Sequence, residues 1–160
     1  MQKKEIILIL PDIRSAYNVG SIFRTADAVG VSKIYLSGYT PPPRDQFKRE
    51  NKMILKTALG AEKLIPWEKT LNTAKLITKL KKEGVEIVAL EQSEKSIDYR
   101  KFKPKKKIAL ILGSEVQGIS KPILDKCDKI IEIPMQGKKE SLNVSVATGV
   151  ALFRIFNQPN

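Results

Sequence analysis

Histidine is absent from all 160 residues. This removes the serine–histidine–aspartate and cysteine–histidine arrangements, in which an imidazole takes the nucleophile's proton. It also removes the common histidine-based zinc sites. Any proton transfer then falls to a carboxylate, a lysine, a tyrosine, an arginine or water. Cysteine is nearly absent, and Cys127 alone permits neither an internal disulfide nor a thiolate cluster, so no metal centre is expected. Long apolar runs are missing too. The run IILIL near the start lies between Lys3-Lys4-Glu5 and Pro11-Asp12. It is far shorter than the roughly 20 residues of a membrane span, and no small-residue cleavage site follows it. A cytoplasmic location and no membrane partner are expected. Acidic residues are scarce: 17 Asp and Glu stand against 29 Lys and Arg, a formal charge of +12. Such a surplus suits a polyanion, because each phosphate neutralised releases condensed counterions. A merely basic protein is the plainer alternative.

Hydrophobic residues make up 42% of the chain. That is enough to bury a sizeable core in one domain, taken here as residues 1–160. Apolar, β-branched runs at 6–10, 33–36, 85–90, 107–112 and 129–133 predict strands, with a short further strand at 63–66. Between them lie helical patterns at 17–30, 52–59, 70–83 and 141–156. Ser120 and Pro122 open another short helix as cap and first-turn proline. Residues 37–51, with three consecutive prolines and then three basic residues, read as an ordered but mobile loop. This alternation predicts an α/β fold, a mainly parallel sheet with helices on both faces. Sites in such sheets lie beyond the carboxyl ends of the strands. The loops after Leu10, Leu90, Leu112 and Ile133 are therefore where chemistry should gather.

Three of those loops are informative. The first, PDIRSAYNVG, leads into a helix whose apolar stripe is Val19, Ile22, Phe23, Ala26 and Val29. Arg24 projects from the other side among the small residues Ser21, Thr25 and Ala28, either as a solvated surface arginine or because something must come close. Asn18 is either a helix cap or a ligand group. The second loop, GSEVQGIS after KIALIL, nearly matches a phosphate-binding loop. However, Ile119 stands where the lysine should be, Glu115 would repel a phosphate, and no G-x-G-x-x-G is present, so triphosphate and dinucleotide readings are rejected. The glycines still let a ligand approach the backbone, and Glu115 calls for a partner or a cation. The third, IPMQGKKESLNVSVATGVALF, enters a helix that is apolar on almost every side. Such a helix either runs through the core or packs on a second subunit; a dimer interface is favoured.

Taken in order, these loops resemble the three motifs of the SpoU/TrmH class of the SPOUT methyltransferases. Asn18-x-Gly20-x-x-x-Arg24-x-Ala26 is similar to the first, LILGSEVQGIS to the second and IPMQGKKESLNVSVATG to the third. The resemblance runs from Pro11 to Ala151. It implies an α/β knot with the C-terminal segment threaded through a loop, which general topology rules alone would not suggest. It implies S-adenosylmethionine as cofactor, held by Leu90, Gly113, Ile133 and Leu142 with Met135 and Ser141 nearby. It implies methyl transfer to a ribose 2′-hydroxyl of RNA, and a homodimer. Arg24 would sit at the attacked hydroxyl. A guanidinium stays protonated, so its expected work is to anchor the neighbouring phosphate and stabilise the developing alkoxide. Asn18, Glu115, Ser141 and Asn143 would hold the reactants in line.

Val116 departs from the motif, where a glycine is common. No additional N-terminal RNA-binding domain of the sort several ribosomal relatives have is expected. RNA capture is therefore assigned to Arg14, Arg44, Lys48, Arg49, Lys138 and Lys139, with residues 101–107 as a second patch, and transfer RNA is favoured over ribosomal RNA. A non-catalytic RNA-binding protein on the same fold is the alternative. A small-molecule methyltransferase would instead act without RNA and respond little to salt.

Overall fold

A computed structural model describes residues 3–158. Seven strands form one sheet: β1 (Glu5–Pro11), β2 (Lys33–Ser37), β3 (Trp67–Thr70), β4 (Glu86–Leu90), β5 (Ile97–Asp98), β6 (Lys107–Leu112) and β7 (Lys129–Glu132). Their spatial order is β3-β2-β1-β6-β4-β7-β5, and every pairing is parallel. All carboxyl ends therefore lie along one edge. The helices are α1 (Ala16–Val29), α2 (Lys52–Ala58), α3 (Ala61–Leu64), α4 (Thr73–Lys82), α5 (Lys121–Leu124) and α6 (Val144–Phe156).

The period-two alternation of the central strands divides the core. Ile6, Leu8 and Leu10 of β1, with Ile108, Leu110 and Leu112 of β6, pack under α1, α2, α3 and α6. Ile7 and Ile9, with Ala109 and Ile111, pack on the opposite face against Leu76, Ile77 and Leu80 of α4 and residues of α5. Both faces are covered, as a buried parallel sheet requires. The stripe expected on α1 is buried. Gly20 lies within it because α2 comes close: a Cβ there would stand 2.4 Å from the Ile54 carbonyl oxygen.

The structure departs from the sequence reading in four places. Residues 63–66 are not a strand: Lys63 and Leu64 end α3, and the strand follows directly, at β3. The 70–83 helix starts at Thr73, where the Asn72 side chain accepts the Lys75 N–H. β5 lies within the stretch read as a connector. The last helix starts at Val144 and not at Ser141; Thr148, Ala151, Leu152 and Ile155 face the core, while Val146, Val150, Phe153 and Phe156 are exposed, so it does not run through the core on all sides.

Candidate active site

The carboxyl ends of β6, β4 and β7 open into a cleft of about 470 Å³. Leu90 and Leu112 end their strands on its floor. Gly113, Ser114, Glu115 and Gly118 of the glycine-bearing turn form one wall. Ile133, Met135, Ser141, Leu142 and Asn143 form the other, with Val144 and Ala147 of α6 behind them. Leu90, Gly113, Ile133, Met135, Ser141 and Leu142, the six residues matched by resemblance to a donor pocket, all line this space.

The glycine turn is shaped around a residue the sequence reading did not single out. Glu91 accepts the Ile119 N–H through Oε2 at 2.9 Å and the Gln92 N–H through Oε1 at 2.9 Å. Gly118 is left-handed, with φ of 65°, and a Cβ there would stand 2.4 Å from Glu91 Oε2. A glycine is thus the residue that lets this carboxylate tuck beneath the turn. Gln92 Nε2 in turn donates to the Glu140 carbonyl, tying the third loop to the end of β4. Glu91, Gln92 and Glu132 all line the cleft. Their one sequence signal was position, immediately at or after the end of a strand.

The three motif loops meet in a chain of side chains. Asn143 Nδ2 donates to Asn18 Oδ1 at 3.3 Å, and Asn18 Nδ2 donates to Glu115 Oε1 at 3.2 Å. Glu115 Oε2 accepts the Arg14 backbone N–H at 3.4 Å. Glu115 therefore does find a partner, at the N-terminus of α1, where the helix dipole favours a carboxylate. Asn143 caps α6: its Oδ1 accepts N–H groups of Ser145 and Val146 and the Ser145 hydroxyl. Ser15 caps α1 by accepting the Asn18 N–H, so the Asn18 side chain is left to the network.

Arg24 does not join this cluster. It is exposed, and among the described residues it neither lines the cleft nor forms an ion pair. It lies six residues beyond Asn18 on α1, about 9 Å along the axis. Its neighbour Thr25 lies close to Gly149 of α6.

The basic residues expected to meet RNA fall into two groups. Arg14, Arg44, Lys48, Arg49, Lys138 and Lys139 are all exposed on loops at the cleft's edge of the sheet. Arg49 is partly spent on Asp45, to which its Nε donates at 2.7 Å. The Arg49 backbone and side-chain N–H groups hold the Asp45 carboxyl below its ordinary range. Arg44 reaches Glu50 at 3.6 Å. The 101–107 patch is elsewhere, because Lys107 begins β6 while the cleft lies beyond its end. Five residue steps of strand, about 17 Å, separate the two.

Electrostatically the cleft inverts the protein around it. The chain carries +12, yet Glu91, Glu115 and Glu132 line the cleft and no lysine or arginine does. Apolar walls with a local negative field suit an elongated ligand that carries positive charge. Among the described residues no group of acidic, histidine or cysteine side chains could hold a metal ion, and no helix is long and apolar enough to cross a membrane.

The model of the SpoU rRNA Methylase family matches residues 5–153. YacO of Bacillus subtilis, placed in the TrmH family of tRNA/rRNA methyltransferases, is 32% identical over 158 residues, covering 99% of this chain and 61% of that protein. A Staphylococcus aureus protein placed in the same family is 35% identical over 152 residues, covering 95% and 58%. The AdoMet-bound rRNA methyltransferase of Sinorhizobium meliloti superposes with a TM-score of 0.86 at 32% identity, over 96% of this chain and 56% of that one. The TrmH/SpoU tRNA modifying enzyme of A. aeolicus gives 0.84 at 33%, over 98% and 76%. The chain thus spans about three fifths of the length of the curated relatives it matches. With a family match over residues 5–153 and relatives above 30% identity along nearly all of its length, the chain belongs to the SpoU rRNA Methylase family.

Proposed function

We propose that the protein transfers a methyl group from S-adenosylmethionine to a ribose 2′-hydroxyl of RNA. The observation that carries this reading is the acidic, apolar-walled cleft within a strongly basic chain. S-adenosylmethionine, when bound, supplies an electrophilic methyl group on a sulfonium. Leu90, Ile133, Met135 and Leu142 offer it apolar walls, and Gly113 and Gly118 offer exposed backbone. Glu91, Glu115 and Glu132 supply the field that favours its cationic end. A volume of 470 Å³ lies within the usual range for ligands of this size.

The network of Asn143, Asn18 and Glu115 fixes both helix N-termini beside the cleft. Its work is to hold the ribose in line. Such alignment is worth up to about 7–11 kcal/mol of barrier in favourable cases. Arg24 is assigned to the phosphate next to the attacked hydroxyl and to the alkoxide that develops there. The hydroxyl proton leaves to a phosphate oxygen or to water.

The exposure of Arg24 fits a homodimer. Val146, Val150, Phe153 and Phe156 give α6 an apolar outer stripe, and Arg24 stands on the helix packed beside it. A twofold contact through α6 would bury the stripe and bring Arg24 to the partner's cleft. The knot is part of the same proposal. The segment after β7 leaves the sheet on one side of β6, and α6 then packs on α1 at the other.

The test is to incubate the protein with methyl-labelled S-adenosylmethionine and transfer or ribosomal RNA, then digest the RNA to nucleosides. A 2′-O-methylated nucleoside is expected, transfer RNA being the favoured substrate. Label on a base would overturn the ribose assignment. RNA binding with no incorporated label would favour a non-catalytic RNA-binding protein.

A further inference from the structure

Tyr39 combines a fixed backbone with a bare ring. The residue is 82% exposed, while Ser37 and Thr40 beside it are fully buried. The Tyr39 N–H donates to Asp12 Oδ1 at 2.8 Å. Lys69 Nζ donates to both carbonyls flanking Tyr39, that of Gly38 and, at 2.6 Å, that of Thr40. Thr40 Oγ1 donates to the Leu10 carbonyl at 2.6 Å and accepts the Ile13 N–H at 2.9 Å. Three prolines follow at once.

This anchoring has a conformational cost. Asp12 adopts φ of 53°, a left-handed backbone uncommon for a residue with a Cβ. Gly38 also has a positive φ, and a Cβ on it would stand 2.0 Å from Asp12 Oδ1, so only glycine leaves room for the carboxylate to reach the Tyr39 amide. Burial holds the Lys69 ammonium below its ordinary pKa, against the opposing pull of Asp12. Backbone strain and a partly desolvated cation together hold one large aromatic ring out in water.

The position of the ring indicates what it meets. β2 ends at the same edge of the sheet as β6, separated from it by β1 alone. Two strand spacings place Tyr39 about 10 Å sideways from the glycine turn. That is a few nucleotide steps of a stacked strand, at about 3.4 Å each. Exposed Arg14, Arg44 and Lys48 lie on the flanking loops and would follow a phosphate backbone past the ring. An aromatic ring with a pinned backbone loses little freedom on contact, and any base offers it a π-face. Paired bases are hidden inside an A-form duplex, so such a platform serves unpaired nucleotides.

We infer that Tyr39 is a stacking platform for an unpaired base close to the methylated nucleotide, so that the RNA taken by this site is single-stranded there. This rests on the RNA reading of the cleft and adds the local shape of the substrate to it. The experiment measures anisotropy of labelled oligouridylate, and of a blunt RNA duplex of equal length, with the full chain. Tyr39→Ala is expected to weaken oligouridylate binding about 5- to 150-fold. Tyr39→Phe should stay within about twofold of wild type, as should duplex binding by either variant. Oligouridylate binding by Tyr39→Ala at the wild-type level, or equal losses on both RNAs, overturns the stacking role and leaves the methyltransferase reading intact. Wild-type protein that binds neither RNA overturns both.

Discussion

Asn143 stands 125 residues after Asn18, yet its Nδ2 donates to Asn18 Oδ1 across 3.3 Å. Two helix N-termini from opposite ends of the chain are thereby joined, with Glu115 of the central turn as the third member. None of the three is on the same loop, so the contact reports the folded arrangement of the whole cleft.

Removing that contact should cost turnover far more than stability. Asn18→Ala leaves Glu115 without its side-chain donor in an exposed setting, a loss of about 0.5–1.5 kcal/mol. Misplacement of the reacting groups should lower methyl transfer about 100-fold. Asn143→Ala also removes the α6 cap and should cost about 0.5–2 kcal/mol of stability. In a double-mutant cycle on methyl transfer the two should couple by about 0.5–3 kcal/mol. Additive effects would show that the two side chains act separately.

Gly118→Ala and Gly84→Ala separate steric conflict from backbone strain. Both glycines have positive φ, but nothing lies within 4 Å of a Cβ built on Gly84, whereas one on Gly118 meets Glu91. Denaturant unfolding should show about 1 kcal/mol lost at Gly84. The loss at Gly118 should be larger, about 2–3 kcal/mol, because either Glu91 or the turn must move. Equal losses would mean that Glu91 does not support the turn.

Cys127 should be a poor nucleophile. Burial pushes its thiol up to about 11, and its Sγ lies 3.2 Å from the Ile123 carbonyl oxygen. Only the thiolate reacts, so alkylation by iodoacetamide should be slow at neutral pH and climb steadily between pH 8 and pH 11. A plateau near pH 9 would show an ordinary, accessible thiol.

Asp98 gives the acid limb of stability a defined sign. Hydrogen bonds from Arg100 draw its carboxyl down from 3.8 to about 2. A depressed folded-state value stabilises the protein above the unfolded value, and this contribution is lost as pH falls through about 2. Wild type should therefore be more stable than Asp98→Asn at pH 5, and the difference should close between pH 4 and pH 2. A gap that stays constant over that range would assign the effect of the substitution to packing.

Much of the fold could be read from the chain because apolar strands alternate so regularly with helices. Leu90, Gly113 and Ile133 each fall at or just beyond a strand end, which is where parallel sheets build sites. Residues 63–66 are ambiguous because a short apolar run suits a helical turn as well as a strand. Ile97–Asp98 is a strand only because β7 pairs with it, which is a tertiary fact in a polar stretch. Glu91 carried no motif, since its partner is a backbone N–H 28 residues away. The apolar sequence of α6 leaves passage through the core and contact with a second subunit both open; in the fold one side packs on the core, the other faces outward, and Arg24 stands on the helix beside it.

The central claim is that the acidic cleft takes a sulfonium donor, and calorimetric titration of S-adenosylmethionine tests it most directly. The wild-type chain should bind with saturation. Arg24→Ala should bind equally well, because Arg24 lines no part of its own cleft, and Ala147→Phe should bind at least tenfold more weakly, because Ala147 does. No heat with the wild-type chain, or undiminished binding by Ala147→Phe, would contradict the account.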